Sequence, residues 1–189
     1  MLLADYARRL KSRSRRFNNS YEWTRVSGVQ VFGAPIYLHW PVLIVAAFMA
    51  LMAISSPVFA LLFFASYVVV IVIHEFGHAC VAHLLGYEVD SIGISILHGW
   101  CRYETPDDEW HEVLVAWGGV FAQLLAALLA LVIFLALKGG DWGYFTPIIV
   151  FLGYFNIVIV IINLLPGSDS DGAVAWRIVP LLLKRWRAN

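Results

Sequence analysis

Four long apolar stretches, separated by short polar segments, dominate the pattern of this 189-residue chain. They cover about residues 38–54, 58–85, 110–137 and 144–165. A helix needs roughly 17 to 25 apolar residues to cross a bilayer, and each stretch reaches that length. The first is the shortest, and Ser55-Ser56-Pro57 leaves room for only a tight turn before the second. The pattern therefore predicts four transmembrane helices, of which the first two form an antiparallel hairpin.

A second periodicity occurs in the loop between the second and third stretches. Ile92, Ile94 and Ile96 alternate with small or polar residues, and His98-Gly99 offers a turn before Trp100–Tyr103. A period of two is typical of strands, so we expect a small β-hairpin here. The predicted fold class is an all-α polytopic membrane protein with about four transmembrane helices and this one hairpin.

Composition supports a membrane protein and limits its partners. The chain is 61% hydrophobic and 14% charged, with a mean hydropathy of +0.76, far from the values of soluble domains. Its formal net charge is zero, which predicts no nucleic-acid partner. The two cysteines, Cys80 and Cys101, indicate no disulfide framework. No cleavable signal peptide is expected, because residues 1–30 are polar and basic.

The distribution of positive charge predicts the orientation in the membrane. With four spans, both termini and the 86–109 loop lie on one side, and basic residues concentrate on the cytoplasmic side of membrane proteins. That side would hold Arg8, Arg9, Lys11, Arg13, Arg15, Arg16, Arg25, Arg102, Arg177, Lys184, Arg185 and Arg187, and the other side only Lys138. We therefore expect a multi-pass protein of the cell membrane with cytoplasmic termini and a cytoplasmic hairpin.

Three ionisable residues lie within five positions of the second stretch, which reads His74-Glu75-Phe76-Gly77-His78. Residues four apart on a helix share a face, so both imidazoles can bind one Zn²⁺ ion. Glu75 lies between them, where a carboxylate can act as general base on a water. The alternative is a chance motif in a helical core, but ionisable residues in a span are costly and indicate function. We predict one zinc ion per chain.

A third metal ligand is expected from the end of the fourth stretch. Pro166 and Gly167 end that helix, and Asp169 and Asp171 follow. At about 1.5 Å per residue, His74 and Asn163 both fall in the same third of a bilayer core of about 30 Å. The two elements can therefore meet. Spacing alone leaves both carboxylates open as the ligand.

The two motifs together resemble the site-2 protease family of intramembrane zinc metalloproteases. That family pairs H-E-x-x-H on one span with N-x-x-P-x-x-x-x-D-G at the end of a later one, here Asn163, Pro166, Asp171 and Gly172. The segment Phe32–Trp40 resembles the family's entry into its first span. The resemblance implies that Asp171, with His74 and His78, binds the zinc, and that Glu75 is the catalytic residue.

One stretch of the third span departs from the family pattern. Where the family has G-P-x-x-N, this chain has Gly119 in place of the proline and Ala122 in place of the asparagine. Gln123 follows one position later, rotated by about 100° on a helix. Whether it takes over a role of the asparagine stays open. Asn156 and Asn163 share a face of the fourth span and should point toward the zinc helix.

The resemblance implies the hydrolysis of peptide bonds within or near the transmembrane segments of single-span membrane proteins, as in regulated intramembrane proteolysis. The lipid bilayer is the second expected partner. The domain organisation would be a basic cytoplasmic segment (1–30), a transmembrane metalloprotease core (31–172), and a cytoplasmic helix with a basic tail (173–189). The loop hairpin could bind an extended peptide by strand addition or could plug the cytoplasmic mouth.

Two other functions compete with proteolysis. A catalytically inactive homologue that binds membrane helices would not need Glu75 or Asp171. A metal transporter would need a continuous polar path, yet the outer halves of the four stretches are almost wholly apolar.

Overall fold

A computed structural model describes residues 23–95, 99–137, 143–167 and 170–188. Helices make up most of it, and four strands form one sheet. The strands are β1 (Trp23–Val31), β2 (Ala34–His39), β3 (Val89–Ile94) and β4 (Gly99–Tyr103). The helices are α1 (Val42–Met52), α2 (Pro57–Leu84), α3 (Glu109–Ala136), α4 (Thr146–Asn163), α5 (Asp171–Ala175) and α6 (Ile178–Ala188). A 3₁₀ turn at Gly143–Phe145 precedes α4, and a π-helical segment, Val150–Phe155, interrupts it.

Three helices of the described residues, α2, α3 and α4, are long and apolar enough to cross a membrane. They correspond to the second, third and fourth predicted spans. The first predicted span, about residues 38–54, differs from the prediction. Its first two residues, Leu38 and His39, belong to β2, and its helix α1 has 11 residues. Such a helix is about 16 Å long, roughly half the thickness of a bilayer core.

The sheet is larger than the predicted hairpin. Its strand order is β1-β2-β3-β4, with β2 and β3 parallel and the two outer pairs antiparallel. The predicted strand is confirmed as β3, where Ile92 and Ile94 are buried, but Ser91 and Gly93 are buried as well, so burial does not alternate along it. The β1–β2 hairpin was not predicted; it turns at Phe32 and Gly33, both of which have positive φ. Ile96, predicted at the end of the first strand, and His98, predicted in the turn, lie outside the described residues, and Gly99 of the predicted turn is the first residue of β4.

The sheet packs along the C-terminal half of α2. Ile36 of β2 and Ile94 of β3 form a buried cluster with Ile71 of α2. Closer to the end of α2, Ala79 and Ala82 pack with Ile92 and further apolar residues. The sheet thus covers the part of α2 that carries the H-E-x-x-H motif.

Helices α2 and α3 approach each other closely where both have small residues. A Cβ atom added at Gly77 of α2 would collide with the backbone oxygen of Gly118 and lie 2.7 Å from the Ala122 Cβ. A Cβ added at Gly118 would lie 2.6 Å from the Gly77 oxygen. Small residues at such contacts are a common way for membrane helices to pack. Here they allow the backbone of α3 to reach the motif.

We expect Gly77→Ala to destabilise the protein by about 1 to 3 kcal/mol, because its methyl group must push backbone away. Gly153→Ala is the matched control: its Cβ would meet only the side-chain end of Leu131, at 3.2 Å, which can move. Thermal unfolding of both variants in detergent micelles measures the difference. Equal melting temperatures for Gly77→Ala and the wild type would contradict the close contact.

Candidate metal centre

The two motif histidines lie side by side on α2. Both are buried, and their rings are 4.6 Å apart at an interplanar angle of 87°. Their Nε2 atoms are 3.1 Å apart. The predicted sharing of one helix face therefore holds in the structure, and both Nε2 atoms point to the same place.

Asp171 reaches the same place from the turn after α4. That helix ends at Asn163, and α5 begins at Asp171. A side chain at Gly172 would lie 2.5 Å from the Leu164 oxygen and 2.6 Å from the Leu165 oxygen, so glycine lets α5 fold back onto the end of α4. The fold-back brings the Asp171 Oδ2 atom to 2.8 Å from His74 Nε2 and 3.2 Å from His78 Nε2.

Two tryptophans hold α5 against the ends of α3 and α4. The Trp176 indole N–H donates to the Leu164 oxygen at 2.7 Å. The Trp117 indole N–H donates to the Ala175 oxygen at 3.1 Å. The carboxylate of Asp171 is thus positioned by contacts to two different helices as well as by its own turn.

The far side of each imidazole is occupied by a hydrogen bond. His78 Nδ1 is 2.7 Å from the Val115 backbone oxygen, and His74 Nδ1 is 3.0 Å from Gln123 Oε1. Both oxygens can only accept, which assigns the proton to each Nδ1. Asn163 Nδ2 is also 3.4 Å from His74 Nδ1, but the shorter contact is the one to Gln123 Oε1. In a neutral ring, the lone pair then lies on Nε2, which faces the other histidine and Asp171.

The arrangement fits a bound metal ion. The ligand atoms of His74, His78 and Asp171 lie within 4.8 Å of one another. Two lone pairs and a carboxylate oxygen repel each other at this distance unless positive charge lies between them. Burial raises the pKa of Asp171, but when the two imidazoles are protonated, their hydrogen bonds and positive charges hold it well below its ordinary value. Two imidazole nitrogens and a carboxylate oxygen are a donor set that zinc accepts.

The sequence did not place Gln123 at the metal site, but in the structure its side chain lies against His74. Ala122 faces Gly77, whereas Gln123 is buried and faces His74. Asn163 Nδ2 also donates to Gln123 Oε1, at 3.3 Å. The Gln123 backbone oxygen accepts from Asn156 Nδ2 at 2.8 Å, so the face predicted for both asparagines does point to this region.

Gly119, which stands where the family has proline, lies against both imidazoles. A Cβ atom at this position would lie 2.5 Å from His78 Nε2 and 2.7 Å from His74 Cε1. Gly119 and Gln123 are four residues apart on α3 and so share a face. Gly119 leaves room for the two imidazoles, and Gln123 accepts a hydrogen bond from the imidazole of His74.

Glu75 is buried beside the start of β4. A Cβ atom at Gly99 would lie 2.5 Å from Glu75 Oε1, and the Gly99 backbone donates a hydrogen bond to the carboxylate. Glu75 is next to the candidate ligands without being one of the three converging groups.

Among the described residues, His83, His111 and Cys101 are not among the converging ligand groups. The His83 ring stacks on Phe32, and His111 Nδ1 is 2.8 Å from the Tyr87 hydroxyl. Burial, then the charges of Glu75 and Asp90, raises the pKa of the Cys101 thiol to about 12, so this thiol stays protonated at neutral pH. Asp169, the competing carboxylate, lies outside the described residues.

Comparison with known proteins identifies the class to which this fold belongs. The structure is similar to that of the site-2 protease from Methanocaldococcus jannaschii, with a TM-score of 0.67 and 21% identity, over 83% of this chain and 71% of that one. A protein of Synechocystis sp. described as a "Putative zinc metalloprotease" is 34% identical over 128 residues, 63% of this chain. The chain spans 31% of that relative's length. No family model matches the chain.

The resemblance to the site-2 protease family is therefore confirmed in fold by the archaeal enzyme. The cyanobacterial relative adds a likeness in sequence to a protein described as a zinc metalloprotease. The fold likeness, together with the apolar helices, also supports a membrane protein.

We expect Gln123→Leu to weaken zinc binding by about 10- to 100-fold, because His74 loses the acceptor for its Nδ1 proton. Gln123→Glu keeps an oxygen at the same distance from the backbone, so its zinc affinity should stay close to that of the wild type. Competition with a chromophoric chelator measures both affinities on purified protein in detergent. Equal weakening in the two variants would instead indicate disturbed packing and contradict the positioning role.

Proposed function

We propose that the protein is an intramembrane zinc metalloprotease that hydrolyses peptide bonds within or near the transmembrane segments of membrane proteins. His74, His78 and Asp171 hold one zinc ion per chain, and Glu75 is the catalytic residue. The observation that carries the proposal is the convergence of the three ligand atoms within 4.8 Å, with a buried glutamate beside them, inside apolar helices.

The depth of the site is compatible with a reaction that consumes water. His74 lies 17 residues after the start of α2 and 10 before its end, so it is about 15 Å from the inner end of that helix. The imidazoles are buried, but one third of the Asp171 side chain is exposed. Water therefore has its shortest route to the ligands past Asp171, from the side of the membrane where α5 lies.

Each residue of the centre has a defined task in this mechanism. When bound, zinc would supply a Lewis acid that activates a water molecule and polarises the scissile carbonyl. Glu75 takes the proton of the attacking water and delivers it to the leaving amine. The Gly99 backbone N–H holds the Glu75 carboxylate in place. Val115 and Gln123 fix the protons of the two imidazoles on the side away from the reaction.

The substrate must reach the site in an extended conformation, because a helix hides its carbonyl groups. β4 is an outer strand of the sheet, and it begins at the residue that contacts Glu75. A peptide that pairs with β4 would pass its carbonyl groups close to Glu75, which favours strand addition over a role of the hairpin as a plug. Single-span membrane proteins are the proposed substrates, as in regulated intramembrane proteolysis.

We further propose a location in the cell membrane, with both termini on the cytoplasmic side and the sheet in the cytoplasmic half of the protein. The charge bias supports this orientation, since Arg25, Arg102 and Arg177 all lie on the sheet or near α5. The pairing of β2 with β3 supports the shared side of these segments. β2 precedes α1 and β3 follows α2, so the chain enters α1 and leaves α2 on the same side of the membrane, whatever the length of α1.

We expect Glu75→Gln to retain zinc and to lose cleavage, because the amide keeps the shape of the side chain but cannot take up a proton. The assay follows a fluorescently tagged single-span protein that is reconstituted with the purified protease in liposomes. Equal cleavage by the variant and the wild type would contradict the mechanism. A zinc-loaded wild type that binds this protein without cleaving it would favour the inactive, helix-binding homologue.

We expect metal analysis to find one zinc per chain in the wild type and very little in Asp171→Ala, because the site then has only two protein ligands. Asp169→Ala is the matched control, since it removes the neighbouring carboxylate and should keep the wild-type zinc content. The ligand assignment would be wrong if Asp171→Ala retained its zinc or if Asp169→Ala lost it.

A further inference from the structure

Helix α6 presents an exposed apolar stripe. Val179, Leu182, Leu183 and Trp186 are 46%, 51%, 49% and 78% exposed. Their spacing of three and four residues places them on one face of the helix. Ile178, beside the stripe, and Leu181, on the opposite side of the helix, are partly covered by the protein. The stripe therefore points away from the core, and its last member is the most exposed tryptophan side chain of the described residues.

Three of the exposed residues outside the stripe are cations. Lys184, Arg185 and Arg187 flank the stripe, and the helix Ile178–Ala188 contains no acidic residue. Long basic side chains can reach past an apolar face to a polar layer. A helix with apolar, aromatic and basic residues in this arrangement is typical of one that lies in the interface of a membrane.

Contacts to α3 place the start of α6 at the membrane boundary. Arg177 Nη1 is 2.9 Å from Glu112 Oε2, in the first turn of α3. That turn also contains Glu109, whereas the remainder of α3 is apolar enough to cross a membrane. A helix leaves the hydrocarbon layer where its charged residues begin. α6 therefore begins at the level of the headgroups.

We propose that α6 lies in the headgroup region of an anionic lipid leaflet, with Val179, Leu182, Leu183 and Trp186 among the acyl chains. With 11 residues it is about 16 Å long and cannot cross the hydrocarbon layer. The three cations fit phosphate-bearing, negatively charged headgroups. Because only Trp176 and Arg177 separate α6 from α5, lipid binding would also help to hold the segment that begins with Asp171.

Spin labels on the full chain in lipid nanodiscs test this placement. Single cysteines replace Leu182, Lys184, Trp186 or Arg187 in a Cys80→Ala, Cys101→Ala background, and the nanodiscs contain phosphatidylglycerol. We expect oxygen to reach the labels at Leu182 and Trp186 better, and a water-soluble nickel complex to reach those at Lys184 and Arg187 better. Nickel access at all four positions would overturn the proposal. So would the exclusion of both reagents at all four, which would indicate a protein partner or a second copy.

The lipid charge is tested with the native cysteines in place. The difference in fluorescence between the wild type and Trp186→Phe isolates the signal of Trp186, and brominated phosphatidylglycerol should quench it. The combined substitution Lys184→Gln, Arg185→Gln and Arg187→Gln removes three cations, which should lower the binding constant of α6 for the anionic leaflet by roughly 100-fold and so reduce the quenching. Quenching that is absent in the wild type, or unchanged in the triple variant, would contradict a role of anionic lipid.

Discussion

Two hydrogen bonds on the far side of the imidazoles decide what the near side can do. The Val115 oxygen and the Gln123 Oε1 atom each accept a hydrogen bond from an Nδ1–H, which leaves both Nε2 lone pairs facing Asp171. This orientation depends on the close contact of α2 and α3, since Val115 is a backbone acceptor on α3. The glycines at the contact, Gly77 and Gly118, therefore matter to the chemistry as well as to packing. A wider spacing of the helices would free the rings to rotate.

The third ligand depends on a different part of the chain. Asp171 follows a turn, and turns alone do not hold a carboxylate at one distance from a buried ring. Here Gly172 permits the close approach of α5 to the Leu164 and Leu165 oxygens. The indole of Trp176 then closes a hydrogen bond to the Leu164 oxygen. The carboxylate is positioned by backbone contacts, while one third of its side chain still faces outward.

Much of this centre was predictable from the spacing of residues, and its supporting contacts were not. The interval of four placed His74 and His78 on one face, and the resemblance singled out Asp171. Gln123 could not be assigned, because its role depends on Ala122 packing against Gly77 rather than on rotation along one helix. The β1–β2 hairpin was also missed. Its residues, among them Ile36 and Leu38, are apolar enough to be mistaken for the entry into a span.

The sheet and the short helix α1 together cover nearly the whole length of α2. Packing extends from Ala82 to Tyr67 along α2, so the sheet covers about 22 Å of that helix. α1 adds about 16 Å, and together they nearly match the length of about 42 Å of the 28-residue α2.

A sheet at this depth must pair its backbone groups, and β2 and β3 do so on both sides. β4 is a sheet edge, and open edges at membrane depth are tolerated only against protein or water. Its first residue contacts Glu75, so the edge lies where a hydrolytic site needs water.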